Sequence, residues 1–515
     1  MSQINESAIK TPGVYVNEIP SFPPSIAQVA TAIPAFMGYT QIAQDLQGKS
    51  LINKPTRISS MLEYELYFGK NQKETNIQIT YAQKTVGKTT TNTISVAFNG
   101  DKSKHNMHSA VRFFYGNGGG PCYIISVGKF SADMDTDTGV DPNAFYNLGT
   151  GVGLEALAKE DEPTLIVFPE GQNMDAGAYY NLQNQALTQC GLLQDRFCIM
   201  DIHNTGETLV TSRDLENAIG DFRNFVGIAD SKNYGAVYFP NLKTVYSYDY
   251  DESKTTIIHT VITVASDGSQ TTNDGPLNGK TLSEISTLPV PASPPSSPPG
   301  PPPYYNLAAY NLLTQALDTQ FPVVLPPSPA VAGIYASVDA SRGVWKAPAN
   351  VGVLDAIGTT FQISDDLQGD MNIDATSGKS VNAIRAFTGK GILVWGARTL
   401  DGNSNDFKYI SVRRFYIMVE ESSKKAANVF VFEPNDGNTW VKVRAMIENY
   451  LTNLWRLGAL AGSKPEQAFY VKVGLGQTMT FDDILNGRMI VEIGMAPVRP
   501  AEFIILRFSQ IQQQA

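Results

Sequence analysis

The run TLIVFPEG at residues 164–171 is unbroken apolar from Leu165 to Phe168, and the same pattern recurs through the first half of the chain. AIPAFMGYT (32–40), CYIISVG (122–128), RFCIMDIH (196–203) and GAVYFPN (235–241) are likewise short apolar runs bounded by turn residues. A half-exposed strand alternates apolar with polar residues, whereas continuous hydrophobicity marks a strand covered on both faces, as in a parallel sheet. Between these runs, Asp175–Gln189 and Ser212–Phe225 read as amphipathic helices. The second follows Thr211 as N-cap and places Leu215, Ile219, Phe222 and Val226 on one face. Alternating strands and helices make 25–242 an α/β core.

Outward from this core the composition changes. Residues 72–106 are rich in Thr, Lys and Asn and read as a surface excursion. Residues 243–325 form a second insertion: a polar β-hairpin near 247–275, nine prolines in Pro289–Pro303, and a helix, Tyr305–Leu317, expected to re-enter the core. The proline tract is extended and cannot pack in a core. The core resumes over 326–361. From 362 to 496 the pattern is a compact α+β domain with strands at 391–400, 428–432, 469–475 and 488–494. Its helices are Ser411–Ala427 and one opening near Thr439 that carries Trp440, Val443, Ile447, Tyr450, Leu451 and Leu454 at helical spacing and stops at Gly458. EFIILRF (502–508) reads as a last strand. The fold class expected is multidomain, α/β and α+β.

At 515 residues the chain is too long for one core. Its net charge of −10 argues against a nucleic-acid coat, which draws on excess Lys and Arg. Met1–Lys10 is polar, without an apolar signal core, and no 18-residue apolar run offers a membrane span. Cys122, Cys190 and Cys198 lie in apolar contexts and read as buried thiols of a protein made in a reducing cytoplasm.

Catalytic and cofactor signatures are incomplete. Gly378-Lys379-Ser380 has Ile373 where a phosphate loop needs its first glycine, and YGNGGGP (115–121) has no Lys-Ser/Thr after it. His105 and His108 stand in a polar stretch without Cys or carboxylate partners at zinc spacing, and read as a solvated loop. Asp201 and His203 suggest part of a hydrolase triad, but no nucleophile elbow accompanies them. No enzymatic activity, metal or cofactor is expected.

Several motifs in order resemble the contractile tail sheath family of phage tails, pyocin-like particles and extracellular contractile injection systems. They are TPGVYVNEIP (11–20), SRGVWKAPAN (341–350), GILVWGARTL (391–400), YISVRRF (409–415), VFEPND (431–436) and PVRPAEFIILRFSQ (497–510). The resemblance implies a subtilisin-like core without catalytic residues, interrupted by a polar β-rich insertion lobe, and a small C-terminal domain on the sheath's inner side. It further implies an N-terminal exchange arm (1–24) and a C-terminal one (497–515), which stitch hexameric, helically stacked rings around an inner tube. The partners implied are neighbouring sheath subunits, the inner tube protein, baseplate and terminal cap proteins, and possible sheath paralogues. The protein would be made in the cytoplasm and reside in the assembled tail or injection particle. A surface adhesin displaying 243–325 and a divergent, inactive subtilisin-like hydrolase are the competing readings.

The arm residues suit strand exchange. Val14 and Val16 point one way and Tyr15 and Ile19 the other; Phe503 and Ile505 oppose Ile504, Leu506 and Phe508. A lone strand leaves its backbone unpaired until another chain's sheet edge completes it. For the tube-facing surface the expectation is Lys442, Arg444, Arg456 and Lys464, which with Glu448 give Asn438–Lys464 a net charge of +3.

Overall fold

The computed structural model describes residues 26–203, 209–227, 229–286 and 306–507. The expected strand residues Val14, Tyr15, Val16, Ile19 and Phe508, and the proline tract 289–303, lie outside the described residues. Contacts divide the chain into a larger unit, Ala30–Ile417 with the chain from Arg499, and a smaller unit built on Met418–Val498.

A nine-stranded sheet carries the larger unit. Its centre is five parallel strands in the order Gly235–Phe239, Phe197–Asp201, Leu165–Val167, Pro34–Thr40, Cys122–Lys129. These are the five continuous apolar runs, and all their residues but Tyr39, Gly128 and Lys129 are buried. Ala176–Leu193 and Ser212–Phe225 form the expected helices. Thr211 closes the second with a reciprocal capping box to Asp214, satisfying amides the first turn leaves open. Helix Met107–Gly116 packs against helix Ser328–Arg342 so closely that a Cβ on Gly333 would sit 2.5 Å from the Phe114 carbonyl oxygen.

The sheet is not wholly parallel. Thr56–Ile58 closes one end antiparallel to Cys122–Lys129. At the other, Asn382–Phe387 runs parallel to Gly235–Phe239, and Gly391–Val394 and Val351–Gly352 follow antiparallel. Residues 382–394, which sequence placed in the C-terminal domain beginning at 362, therefore complete the core sheet. The unit boundary falls instead after Ile417, inside helix Ile410–Ala427. The reason is burial: Ile384, Leu393 and Val394 need cover, and the edge of the large sheet provides it.

The two excursions are one body. Strands Ile77–Val86 and Thr89–Phe98 from the first join Thr256–Val264 and Gln270–Asp274 from the second in a four-stranded sheet, with Ile77–Val86 and Thr256–Val264 pairing in parallel. Ile77, Ile79 and Tyr81 share a buried cluster with Ile257, Leu277, Leu282, Ile285, Leu313 and Leu317. Helix Leu307–Gln320 therefore belongs to this lobe rather than to the core it was expected to re-enter. Its far strands are polar and exposed: Gln270–Asp274 has no buried residue.

Among the described residues, two expected strands are absent. Residues 428–432 form a short 3-10 helix, Asn428–Phe430, with only Phe430 buried. Residues 501–507 carry no strand, and Phe503, Ile504, Ile505 and Leu506 are 66–78% exposed. Both segments have strand-forming side chains, but strand propensity expresses itself only where a second strand accepts the backbone bonds.

Because the insertions share a core, replacing 251–320 alone by a Gly/Ser linker should strip Ile77, Ile79 and Tyr81 and give a protein that binds ANS and aggregates. Replacing 77–98 in the same chain as well should restore a soluble, cooperatively melting protein; solubility and dye binding of the two variants check this.

Candidate functional site

The groups that could have formed catalytic sites are engaged within the larger unit. The Asp201 carboxylate is buried at the foot of helix Ser328–Arg342, accepting from the Ser328 amide at 2.9 Å and from its hydroxyl at 2.5 Å. It thereby caps a helix whose own N-cap, Pro327, has no side-chain oxygen. His203 Nε2 instead lies 2.8 Å from the Met174 carbonyl. Lys379 Nζ donates to the Arg223 carbonyl and Ser380 Oγ to that of Asn372 at 2.5 Å, so the Gly-Lys-Ser motif ties loops together.

His105 and His108 are not on a solvated loop, as sequence suggested; both are sequestered. His105 Nε2 is 3.1 Å from Asp137 Oδ1 and its Nδ1 is 3.5 Å from Glu170 Oε1, with both rings of contact nearly dry. Burial opposes a charge on this imidazole, yet the two carboxylates together hold its pKa above the ordinary value. His108 Nε2 pairs with Glu65 at 3.1 Å, but there burial prevails and depresses the pKa. No spacing rule joins residues 105, 137 and 170, so sequence had no signal for this cluster.

The smaller unit is built on one long helix and a short sheet. Asp436 caps helix Gly437–Arg456, accepting from the Thr439 amide at 3.0 Å. Val443, Met446, Ile447, Tyr450, Leu451 and Leu454 face inward, matching the expected apolar stripe except that Trp440 is only half-buried. Strands Phe469–Lys472 and Glu492–Met495 pair antiparallel, in a sheet of two strands among the described residues. Val429, Val431, Phe432, Val441, Leu457, Phe481 and Leu485 are all more than half exposed.

Three of the expected tube-facing cations are exposed: Lys442, Arg456 and Lys464. Fourteen residues along one helix bring Lys442 and Arg456 within about 40° of the same face, roughly 21 Å apart. Arg444 differs. It is half-buried and donates through Nη2 to the Val473 carbonyl and Gln477 Oε1, both at 3.3 Å, so it braces the loop after Phe469–Lys472.

Of the C-terminal segment, Val498 donates to the Ala459 carbonyl at 3.1 Å within the smaller unit. Phe503, Ile504, Ile505 and Leu506 extend into solvent. These are four consecutive large apolar side chains on a segment that carries neither helix nor strand.

Residues 403–511 match the phage tail sheath C-terminal domain family. A tail sheath protein of Vibrio phage KVP40 is 25% identical over 36% of this chain, and the matched stretch spans only 26% of that relative. Among solved structures, the chain is similar to the PVC sheath complex of an extracellular contractile injection system in the contracted state: 28% identity, 98% of each chain covered, TM-score 0.59. It is equally similar to a chain of the anti-feeding prophage baseplate, 6-fold symmetrised: 28% identity, 98% of this chain and 100% of that one, TM-score 0.59. The resemblance to contractile tail sheath proteins carried by the sequence motifs is borne out. Among the described residues no helix is long and apolar enough to cross a membrane.

Two expected outcomes test these assignments. Lys442→Glu should leave the melting temperature of the chain unchanged, whereas Arg444→Glu should destabilise the smaller unit by about 1–3 kcal/mol, because it takes the donor from the part-buried Val473 carbonyl and sets a carboxylate against it; urea titration distinguishes them. Burial lifts the Asp201 carboxyl to about 7, above the roughly 3.9 of an unfolded chain. The native state then holds the extra proton, and this group's contribution to stability falls as pH rises through that window. Asp201→Asn should therefore flatten the pH dependence of unfolding free energy between about pH 4 and about pH 7.

Proposed function

We propose that this chain, a relative of contractile tail sheath proteins, is a structural subunit that polymerises as stacked rings around an inner tube and drives that tube by contracting. The observation that carries the reading is the exposed apolar run Phe503–Leu506, set in the same chain as a two-stranded sheet of the smaller unit. Two-stranded sheets are marginal alone, and one strand from a neighbour would extend this one while burying the arm's side chains. The N-terminal arm, with Val14, Tyr15, Val16 and Ile19, is proposed to act in the same way; the described chain leaves its root at Val29, whose amide donates to Ser422 Oγ at 3.1 Å.

A contact that joins each copy to the next, head to tail, gives a ring if it closes and a helix if it does not. Sixfold stacking is proposed from the resemblance and from the symmetry in the baseplate neighbour's description. The larger unit supplies a rigid body through its buried sheet, and the arms supply connections that survive its movement, so contraction is a re-packing of rigid bodies. Lys442, Arg456 and Lys464 are proposed to face the tube, with Arg444 acting behind them on the loop it braces. Exposed charge pairs are individually worth about 0–1 kcal/mol, which suits a surface that must release its tube. Baseplate and cap proteins, and any sheath paralogues, are the further partners of this reading. The chain is proposed to be made in the cytoplasm, to act only within the particle and to have no catalytic role. The polar lobe, with its exposed strand Gln270–Asp274, is the part proposed to stand away from subunit contacts.

Removal of residues 503–515 tests this. The truncated chain should keep the circular dichroism and melting temperature of the full chain yet sediment as small species and form no long cylinders in electron micrographs. Full-length cylinders from it would refute arm exchange, and discrete particles from the intact chain would favour the adhesin reading.

A further inference from the structure

A carboxylate held by three side chains sits one residue before the exposed apolar run. Glu502 Oε2 accepts from Arg398 Nη2 at 2.7 Å and from the Tyr409 hydroxyl at 3.1 Å; Oε1 accepts from Arg398 Nε at 2.9 Å and from Asn372 Nδ2 at 2.7 Å. The platform beneath is stiff. Arg398 is almost fully buried, donates also to the Gly402 carbonyl at 3.1 Å, and exchanges two 2.8 Å hydrogen bonds through its backbone with the side chain of Asn382, a residue of the large sheet. Burial works against charge on Glu502, but the bonds from Arg398 and Asn372 outweigh it and hold the carboxyl below its ordinary pKa. The clamp ends abruptly: Glu502 is one-fifth exposed and Phe503 two-thirds.

We propose that Glu502 is a positioning residue for assembly, fixing the point at which the C-terminal arm leaves its own subunit. The inference rests on the sheath reading above. A charge-assisted, two-pronged pair on a buried guanidinium is a costly way to hold a segment whose next four residues are exposed. It has a use if the next residues bind another copy. With the root fixed, the number of residues between clamp and docked strand sets how far apart two joined subunits stand. Each residue of extended chain is worth about 3.3 Å, so the clamp converts sequence length into subunit spacing. An unclamped arm would share its slack over the whole segment from Val498 onward and leave that spacing loose. Arg398 suits the role better than lysine, because its fork meets both carboxylate oxygens at once.

Three variants of the full chain separate the clamp from mere arm length: Glu502→Ala, one glycine inserted between Pro500 and Ala501, and one glycine inserted between Glu502 and Phe503. Subunit melting is recorded for each, then the concentration at which cylinders form and their axial repeat by electron microscopy. The upstream insertion should assemble as the wild type does, because its extra residue lies behind the clamp. The downstream insertion should change the axial repeat or raise the assembly concentration about tenfold, a difference of about 1.4 kcal/mol. Glu502→Ala should raise the assembly concentration by a similar factor, and in its background the two insertions should become equivalent. Should Glu502→Ala lower subunit melting, the two insertions still decide the matter, since both keep the clamp. Equal effects of the two insertions in the wild-type background, or assembly of all three variants at the wild-type concentration and repeat, would overturn the proposal while leaving the sheath reading intact. Failure of the wild-type chain itself to form cylinders would overturn both.

Discussion

Every strand of this chain has to find a partner for its backbone, and the fold follows from where each one does. A buried amide or carbonyl without a hydrogen bond costs on the order of 1–3 kcal/mol, so a strand that enters an apolar interior must be paired along its length. The five parallel strands at the centre of the larger unit meet that demand with one another. Residues 382–394 meet it by joining the sheet's edge, across more than a hundred residues of intervening sequence. Phe503–Leu506 pairs with no strand among the described residues and stays exposed.

Charge inside the larger unit is placed under the same discipline. Arg414, nearly fully buried in helix Ile410–Ala427, pairs with Asp339 of helix Ser328–Arg342 at 2.5 Å and donates to the Thr31 carbonyl at 2.8 Å, while the Thr31 hydroxyl returns a bond to Asp339. The Arg414 guanidinium also lies 4.4 Å from the centre of the Tyr335 ring. Such a network contributes little net stability over an apolar alternative, but removing one member strands the other at a cost of about 3–5 kcal/mol. Its effect is geometric: it holds two helices and the chain entering the first strand in one arrangement. Rigidity of that kind is what a body needs if it is to be moved as a whole and keep its shape.

The smaller unit distributes its side chains differently. Its helix Gly437–Arg456 buries one full apolar stripe, yet Val429, Val431, Phe432, Phe481 and Leu485 stay exposed around it. In the lobe the reverse holds: its outer strands are threonine-rich and polar. Apolar surface thus gathers on the unit proposed to receive arms and is scarce on the strands proposed to face away from neighbours, as differential burial in an assembly requires.

The sequence by itself determined the elements whose signals are local. The apolar runs placed five strands, Thr211 and Asp214 the start of a helix, and the Trp440–Leu454 periodicity the long helix of the smaller unit, because these depend on neighbours within a few residues. The six ordered motifs from residue 11 to residue 510 carried the family resemblance. Only the tertiary structure decided the rest: that 72–106 and 243–325 share a parallel strand pair, that 382–394 belongs to the core sheet, that 428–432 is not a strand, that His105 meets Asp137 and Glu170, and that Arg444 braces a loop. Each of these joins groups far apart in sequence or withholds a partner that local propensity assumed. Which distant edge a strand reaches depends on the surface left uncovered after the local elements have formed, and no spacing in the chain records it.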